Sequence, residues 1–234
     1  AKLASMRCLR LASNNAHKRE EIEGIIRLLD VEIEVAQPRD LGFAFDVVEH
    51  GTTFAENALA KALGLSGLIR GRSLEGVTSS LPSDEVSAIV LDHFKHELPY
   101  VIADDSGICV HALENAPGVY SARFGSDDPD PPRNDDERNT LLLKTLSDRT
   151  DRGAHYVCNA VLVLTDDEYV QAESPWYGTI LRERYPGDTG FGYDPIVWME
   201  EYGRSVAQMS QAQKDVVSHR AKAVRRVLRG ADLL

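Results

Sequence analysis

The chain has 234 residues, of which 43% are hydrophobic and 27% are charged, and its formal net charge at pH 7 is -11. This length and composition predict a single globular α/β domain and exclude a disordered or fibrous chain. The excess of acidic residues disfavours broad binding to nucleic acid or to an anionic membrane, because both carry negative charge themselves.

The cysteines and the N-terminus indicate where such a chain would work. Cys8, Cys109 and Cys158 lie in apolar runs without a C-x-x-C spacing, which predicts buried, reduced thiols and no disulfide framework. We find no membrane-spanning apolar stretch and no signal peptide, and we therefore expect a cytoplasmic protein. Residues 1–5 precede Met6, a candidate natural start, and we expect them to be a vector-derived remnant outside the fold.

The first third of the chain alternates between strand and helix patterns. Residues 7–12 read as a strand, and a polar turn then leads into a helix with apolar residues at helical spacing up to Leu29. Residues 31–35 alternate between apolar and acidic, which indicates a strand with one solvated face. Residues 53–56, Thr-Phe-Ala-Glu, fit a capping box and begin a second helix.

The middle of the chain continues the pattern with one irregular segment. Residues 66–98 are less regular, and we interpret them as an insertion that contains a helix with Val86, Val90 and Phe94 on its apolar face. Residues 100–103 form a short buried-type strand that delivers Asp104 and Asp105 at its end, and residues 108–113 appear extended again.

The second half predicts one more helix in its interior and a long terminal helix. A Pro/Asp-rich loop, residues 126–133, precedes a helix, and residues 156–164 form a strongly apolar strand. Residues 187–195 form a glycine-rich loop that would let the backbone approach a ligand. A capping box at Ser210 opens the terminal helix, whose basic residues face outward.

Polar residues in the first turn could hold phosphate. Ser13, Asn14, Asn15 and Lys18 surround a strand-to-helix turn, where free backbone N–H groups and one ammonium group could grip an anion. Serine and asparagine are also common helix caps, and the turn considered alone is better explained by capping.

Three acidic residues could hold a divalent cation. Glu56 stands where a capping box needs an acid, and Asp104 and Asp105 also suit a polar turn. Two adjacent acids after a buried strand nevertheless favour metal chemistry, because a cation relieves their repulsion.

Other basic residues and histidines have simpler explanations when each is considered alone. Lys214, His219 and Arg220 fit a solvated helix face. His93 and His96 have a spacing that could bind metal, but no further ligands accompany them, and an exposed helix is favoured. The sequence has no Walker A loop, no G-x-S-x-G elbow and no H-E-x-x-H motif.

Six motifs occur in a fixed order along the chain. They are SNNAHK at 13–18, TFAENALAKA at 53–62, ADDSGI at 103–108, PGVYSARF at 117–124, GFGYDP at 190–195 and SHR at 218–220. Together they resemble the inosine/xanthosine triphosphate pyrophosphatase family. The resemblance spans nearly the whole chain from Arg7 onward, and only segment 66–98 and the acidic loop near 127–136 lack a family counterpart.

The resemblance implies a fold, an activity and a partner. The fold is an α/β fold with a long, twisted mixed β-sheet flanked by helices and two lobes around a central nucleotide cleft, usually in a homodimer. The activity is the Mg²⁺-dependent hydrolysis of a purine nucleoside triphosphate to the monophosphate and pyrophosphate. ITP, dITP and XTP are the expected substrates, and their removal cleanses the nucleotide pool.

The matching motif positions also imply residue roles. Residues expected to contact the triphosphate are Ser13, Asn14, Asn15, Lys18 and Lys61. Residues expected to hold Mg²⁺ are Glu56 and Asp105, with Asp104 as a helper, and Asp105 is also the expected water-activating base. Residues expected to complete the substrate pocket are Ser106, Phe191, Gly192, Tyr193, Asp194, Lys214, His219 and Arg220.

The implied pocket gives selectivity a physical basis. An aromatic side chain would stack on the purine, and polar groups would read its 6-oxo edge. Donors directed at a 6-oxo acceptor would leave the 6-amino group of adenine unpaired, and a tight fit would reject the 2-amino group of guanine.

Three positions depart from the family pattern. Asn14 replaces a usual glycine, which asparagine tolerates because it also enters left-handed backbone conformations. Gln208 stands where an acidic residue is common, and Ser174 where glycine is common, and both departures bear on the metal and backbone contacts of the second half. Segment 66–98 would modify either the cleft entrance or the dimer surface.

Two alternative functions stay open at this point. One is a pyrophosphatase for other modified nucleotides, such as methylated or pyrimidine triphosphates, which would share the metal chemistry but differ in the base pocket. The other is a nucleotide sensor without turnover, against which the intact Glu56, Asp105 and Lys18 argue.

Overall fold

The computed structural model describes residues 7–93, 99–186 and 190–234, which form nine β-strands and six α-helices joined in places by 3₁₀ turns. The strands are β1 Arg7–Leu11, β2 Ile33–Ala36, β3 Phe45–Val47, β4 Val77–Ser79, β5 Tyr100–Val110, β6 Gly153–Val163, β7 Tyr169–Ile180, β8 Val197–Met199 and β9 Arg204–Ser205. The helices are α1 Ala16–Leu28, α2 Phe54–Ile69, α3 Ser83–His93, α4 Asp135–Thr145, α5 Gln211–Val217 and α6 His219–Gly230.

Seven strands form one mixed sheet in the order β2-β1-β5-β6-β7-β8-β9. Strand β1 is parallel to β2 and to β5, whereas β8 is antiparallel to β7 and to β9. Strands β3 and β4 form a separate antiparallel pair in which Asp46 is opposite Thr78. The predicted fold class, a mixed sheet with flanking helices, is confirmed.

The chain folds into two compact units, and each contains several chain segments. The first unit comprises the described residues within 1–105, 159–174 and 215–234, and the second comprises the described residues within 106–158 and 175–214. Strands β5, β6 and β7 each contribute residues to both units. The sequence predicted one domain with a nucleotide cleft, and both statements stay predictions.

The first unit is built around a continuous apolar core. Residues from β3, α2, α3, β5 and β6 are fully or nearly fully buried there, including Ala62, Leu65, Val90 and Val161. Helix α1 packs against α6 and β2, and α2 packs against α3 and β3. The two predicted caps are confirmed, because the Asn15 side chain caps α1 and Thr53 forms a reciprocal capping box with Glu56 at the start of α2.

The sequence predicted a short strand that ends at Asp104, and this prediction is wrong. The strand runs without a break from Tyr100 to Val110, and it includes both aspartates and Gly107. Aspartate and glycine are poor strand formers, which is why the sequence favoured a turn. Both carboxylates have cationic partners in the structure, and a compensated carboxylate can remain inside a buried strand.

Segment 66–98 is more regular than its sequence indicates. Helix α2 continues through Ser66 and Gly67 to Ile69 because both residues are buried, and a Cβ atom at Gly67 would crowd Leu74. Strand β4 then pairs with β3, and the predicted helix is present as α3. Phe94 and His96, which were assigned to this helix, lie outside the described residues.

The terminal helix is divided in two, which corrects the prediction of one continuous helix. Helix α5 begins with the predicted capping box, in which Ser210 and Gln213 bond each other's backbone N–H groups. It ends at Val217, and Ser218 caps a second helix, α6, by accepting a hydrogen bond from the Ala221 N–H at 3.1 Å. The sequence missed the boundary because the apolar pattern continues across it.

The second unit has its own buried apolar residues on β5, α4, β6, β7 and β8, among them Ile108, Leu142, Trp176 and Met199. The rings of Tyr156 and Trp176 lie 6.0 Å apart between centroids. Gly107 is close to a 3₁₀ segment, so that a Cβ atom there would overlap Ser121.

Several remaining predictions have simple outcomes. None of the three cysteines forms a disulfide, as predicted, but Cys8 is only partly buried, whereas Cys109 and Cys158 are buried as predicted. No helix in the described part of the chain is long and apolar enough to cross a membrane. Residues 1–6 and residues 187–189 of the glycine-rich loop lie outside the described residues.

Candidate active site

The polar residues singled out in the sequence form two clusters, one in each unit. The first cluster surrounds Asp104 and Asp105 on β5, and its other members come from α1, α2 and α6. The second cluster surrounds Asp194 and includes residues of β6 and α5.

Asp105 is held by two donors from α2. Its Oδ1 atom accepts a hydrogen bond from Lys61 Nζ at 2.8 Å, and its Oδ2 atom accepts one from Asn57 Nδ2 at 3.2 Å. The side chain is only 11% exposed. Asp105 is therefore a buried carboxylate in a fixed orientation, with lone pairs left on both oxygens for a further ligand.

Lys61 is a buried ammonium group between two acids. Its Nζ atom lies 3.3 Å from Glu49 in addition to its contact with Asp105. Burial alone would lower the pKa of Lys61, but the charge of Asp105 and its hydrogen bond outweigh burial and raise the pKa. Lys61 was predicted to contact the triphosphate, and in the structure it contacts the candidate base.

Asp104 lies at the centre of a buried ion network. Its Oδ2 atom is 3.1 Å from Lys18 Nζ and 3.2 Å from Arg220 Nε, and Arg220 also pairs with Glu21. Burial would raise the pKa of Asp104, but Lys18, Arg220 and Lys61 together hold it far below the usual range. These pairs favour a structural role for Asp104, and its role as a metal ligand stays a prediction.

Lys18 links the first turn to strand β5. Its Nζ atom also donates to the backbone oxygen of Asp104 at 3.1 Å, and its side chain is 17% exposed. The pKa of Lys18 is lowered, first by burial and then by the nearby cations Lys61 and Arg220, despite the charge of Asp104. An anion bound beside Lys18 would favour its charged form.

The first turn is an ordered cap that leaves polar groups accessible. Asn15 accepts hydrogen bonds from the N–H groups of His17 and Lys18, and Ser13 Oγ accepts one from the Asn15 N–H. Asn14 donates to the Phe45 oxygen at 2.8 Å, and its φ is not positive, so the departure from glycine needs no left-handed backbone. The turn is therefore firmly anchored despite this departure.

Gln37 supports the same turn and was not identified from the sequence. Its Nε2 atom donates to the backbone oxygens of Ser13 at 2.6 Å and Asn15 at 3.2 Å, and the residue is fully buried. Its sequence context gives little indication of this supporting role, because a single glutamine after a strand is common in loops.

Glu56 is exposed, and one of its two carboxylate oxygens accepts hydrogen bonds. Its Oε2 atom accepts hydrogen bonds from the N–H groups of Thr52 and Thr53, which lower its pKa. In the part of the chain that the structure describes, its Oε1 atom accepts none. Glu56 therefore caps its own helix and retains one carboxylate oxygen for a ligand.

The carboxylates of the first cluster are chemically suited to Mg²⁺. This ion prefers oxygen ligands, and one or two protein carboxylates together with substrate phosphates and water suffice for it. Glu56 and Asp105 both retain lone pairs for such a role. Among the described residues, no group of three or more His, Cys, Asp or Glu side chains is arranged to hold a metal.

The second cluster is organised by Asp194. Its Oδ1 atom accepts a hydrogen bond from Tyr156 at 3.0 Å, and its Oδ2 atom pairs with Lys214 at 3.0 Å. Lys214 also lies over the ring of Phe191, 4.8 Å from the ring centroid. Lys214 is buried, which is the opposite of a solvated helix face.

Tyr193 and Gly192 fix the neighbouring backbone. The hydroxyl group of Tyr193 donates to the Ser121 oxygen at 2.7 Å, and burial raises the pKa of this phenol. Gly192 has a φ of 60° and bonds Asp135 through its N–H group at 2.8 Å. Tyr193 is buried and already bonded, so the half-buried Phe191 is the better candidate for stacking on a base.

The remaining predicted site residues are half-buried or buried. Ser106 and His219 are half-buried, and Arg220 is buried in the network around Asp104. Gln208 closes a capping box with Ser205 and also donates to the hydroxyl of Tyr185 at 2.6 Å. Ser174 is fully buried, and among the described residues its Oγ atom has no hydrogen-bond partner.

Comparison with known proteins decides the family. The model of the Ham1 family matches residues 9–229, which is nearly the whole chain. The chain belongs to the Ham1 family. A dITP/XTP pyrophosphatase from Ralstonia nicotianae is 38% identical over 221 residues, and the match covers 94% of each chain. A dITP/XTP pyrophosphatase from Clostridium perfringens is 35% identical, with 93% of each chain covered.

Solved structures of Ham1 proteins share the fold. The Ham1 protein from Coxiella burnetii is 28% identical, with a TM-score of 0.74, and the match covers 98% of this chain and all of that one. The Staphylococcus aureus Ham1 protein is 30% identical, with a TM-score of 0.68 and with 97% and 98% of the chains covered. The predicted family is confirmed, and this Ham1 chain is a hydrolase of the pyrophosphatase class, which acts on phosphoanhydride bonds.

Proposed function

We propose that this Ham1 chain hydrolyses ITP, dITP and XTP to the nucleoside monophosphate and pyrophosphate in the presence of Mg²⁺. Its relatives named dITP/XTP pyrophosphatase match it over nearly the whole length. The observation that carries the proposal is the buried carboxylate of Asp105, which two donors hold in one orientation. An oriented carboxylate is what the activation of a water molecule requires.

The reaction needs a base, charge neutralisation and positioning. Asp105 accepts a proton from water while the water oxygen attacks a phosphorus of the α–β anhydride, and the bond to the bridging oxygen breaks as pyrophosphate leaves. Mg²⁺, held by Glu56 and Asp105, would neutralise phosphate charge when bound. Lys18 and the exposed polar groups of the turn before α1 bind the triphosphate, because an ammonium group and the dipole at a helix N-terminus both favour anions.

The cluster around Asp194 is proposed to bind the base. Lys214 covers one face of the Phe191 ring, and a purine would stack on the other face. A polar group that donates to the 6-oxo group would discriminate against adenine, because the 6-amino group of adenine cannot accept that bond. For His219, Arg220 and Ser106, a place in the substrate pocket stays a prediction. The homodimer and the cytoplasmic location also stay predictions.

Substitution of the candidate base tests this proposal. We expect Asp105→Asn to lower kcat by at least about 100-fold, because an amide neither accepts the proton of water nor binds Mg²⁺ well. Pyrophosphate release from ITP at saturating Mg²⁺ measures this, and binding of ITP should change far less. Near-wild-type turnover in the folded variant would contradict the assignment of the base.

A further inference from the structure

Asn57 is a fully buried polar residue of α2, with an exposed fraction of 0%. Its Oδ1 atom accepts a hydrogen bond from the Gly51 N–H at 2.9 Å, and its Nδ2 atom donates to Asp105 Oδ2 at 3.2 Å. The Gly51 N–H group can only donate, so the amide oxygen must face it and the amide nitrogen must face the carboxylate. The orientation of Asn57 is therefore determined by its surroundings.

Asn57 and Lys61 act on the same carboxylate from one helix face. They are four residues apart on α2, a spacing that places both side chains on the same side of the helix. Asn57 contacts Oδ2 of Asp105, and Lys61 contacts Oδ1. With Lys61 alone, the carboxylate would be held at one oxygen and could rotate, whereas two donors fix its plane.

We propose that Asn57 is a positioning residue that fixes the carboxylate plane of Asp105, so that the remaining lone pairs of Asp105 face the attacking water. This proposal rests on the proposed function, because it requires Asp105 to act as the base. Small displacements of a catalytic group reduce rate strongly, since the reacting atoms must be held in a narrow geometry. Asn57 itself need not touch the substrate.

The substitution Asn57→Asp separates positioning from simple structural support. The aspartate has the same shape and retains an oxygen for the Gly51 N–H, but it lacks the donor to Asp105 and places a second carboxylate against it. We expect kcat for ITP at saturating Mg²⁺ to fall at least about 30-fold, while KM stays within about threefold. A role limited to holding Gly51 would leave kcat unchanged.

Asn159→Asp is a matched control in the same unit. Asn159 is also buried, and its Nδ2 atom donates to a carboxylate oxygen of Glu173 at 3.2 Å. The control therefore introduces the same charge against a similar carboxylate partner that is not Asp105, and we expect kcat within about threefold of the wild type. Thermal melting of each variant shows whether it is folded.

A second variant, Asn57→Ala, adds no charge and covers the case in which Asn57→Asp does not fold. It should show the same loss of kcat with little change in KM. A kcat close to the wild type in either folded Asn57 variant would overturn the proposal, and so would an equal loss in Asn159→Asp. A wild-type chain that releases no pyrophosphate contradicts the proposed function itself, whereas active Asn57 variants of an active enzyme contradict only the positioning role.

Discussion

Asp104 and Asp105 are adjacent in sequence but have different surroundings. Asp104 is paired with two cations of a closed network, Lys18 and Arg220, while Asp105 is bonded by one amide and one ammonium group. Successive side chains of a strand point to opposite faces, which is why neighbours can serve different purposes. We therefore assign a structural role to Asp104 and propose that Asp105 takes part in the reaction.

The pairing of Asp104 predicts a pH-dependent contribution to stability. Its pKa in the folded chain lies below that in the unfolded chain, so the unfolded chain binds more protons in acid. The stabilisation is therefore complete above the unfolded pKa of about 4 and is lost as the pH falls toward the folded value. We expect Asp104→Asn to cost about 3–5 kcal/mol at neutral pH, because two buried cations lose their partner.

Urea unfolding of wild type and Asp104→Asn at about pH 7 and about pH 3.5 measures this contribution. The difference between the two proteins should be smaller at the lower pH by roughly 0.5–1 kcal/mol. Asp130→Asn, at an aspartate whose side chain is 89% exposed, serves as the control and should show almost no difference at either pH. A difference for Asp104→Asn that grows in acid would contradict the pKa direction.

At the scale of elements, the break between α5 and α6 sets the position of Arg220 relative to Asp104. Ser218 begins α6 two residues before Arg220, and the helix start thereby fixes where Arg220 meets Asp104. We expect Ser218→Ala to lower the free energy of unfolding by about 1 kcal/mol, because the Ala221 N–H group loses its acceptor. For a chain of this length, that loss corresponds to a melting temperature lower by about 2–4 °C.

Thermal melting of Ser218→Ala checks this prediction, with Ser73→Ala as its control. Ser73 is exposed and lies outside the helices and strands, and its substitution should leave the melting temperature unchanged. Equal melting temperatures for wild type and Ser218→Ala would show that the cap does not support α6.

Elements with strong local signals could be predicted from the sequence, and the others could not. Strand β1, the caps of α1 and α2 and strand β6 were predicted close to their observed positions, because periodicity and capping act within a few residues. The continuity of β5 depends on Lys18, Lys61 and Arg220, which are distant in sequence and compensate its acids. The turn propensity of aspartate and glycine gives no information about partners that are distant in sequence.

For the whole molecule, the net charge of -11 does not show that cationic side chains are concentrated locally. Lys18, Lys61 and Arg220 come from three helices of the first unit, and all lie beside the two aspartates of β5. Ordered motifs identified the family and most members of the two clusters. Asn57 was missed although it lies inside a quoted motif, and its spacing of four residues from Lys61 was the available signal.

The most direct test of the central claim is pyrophosphate release from ITP, XTP, dITP, ATP and GTP, each with and without Mg²⁺. We expect fast release from the first three only, and only with Mg²⁺. Donors at the base would favour a 6-oxo purine over ATP, a tight fit would reject the 2-amino group of GTP, and the triphosphate charge needs a cation. Equal rates on all five nucleotides, or binding of ITP without any release of pyrophosphate, would contradict it.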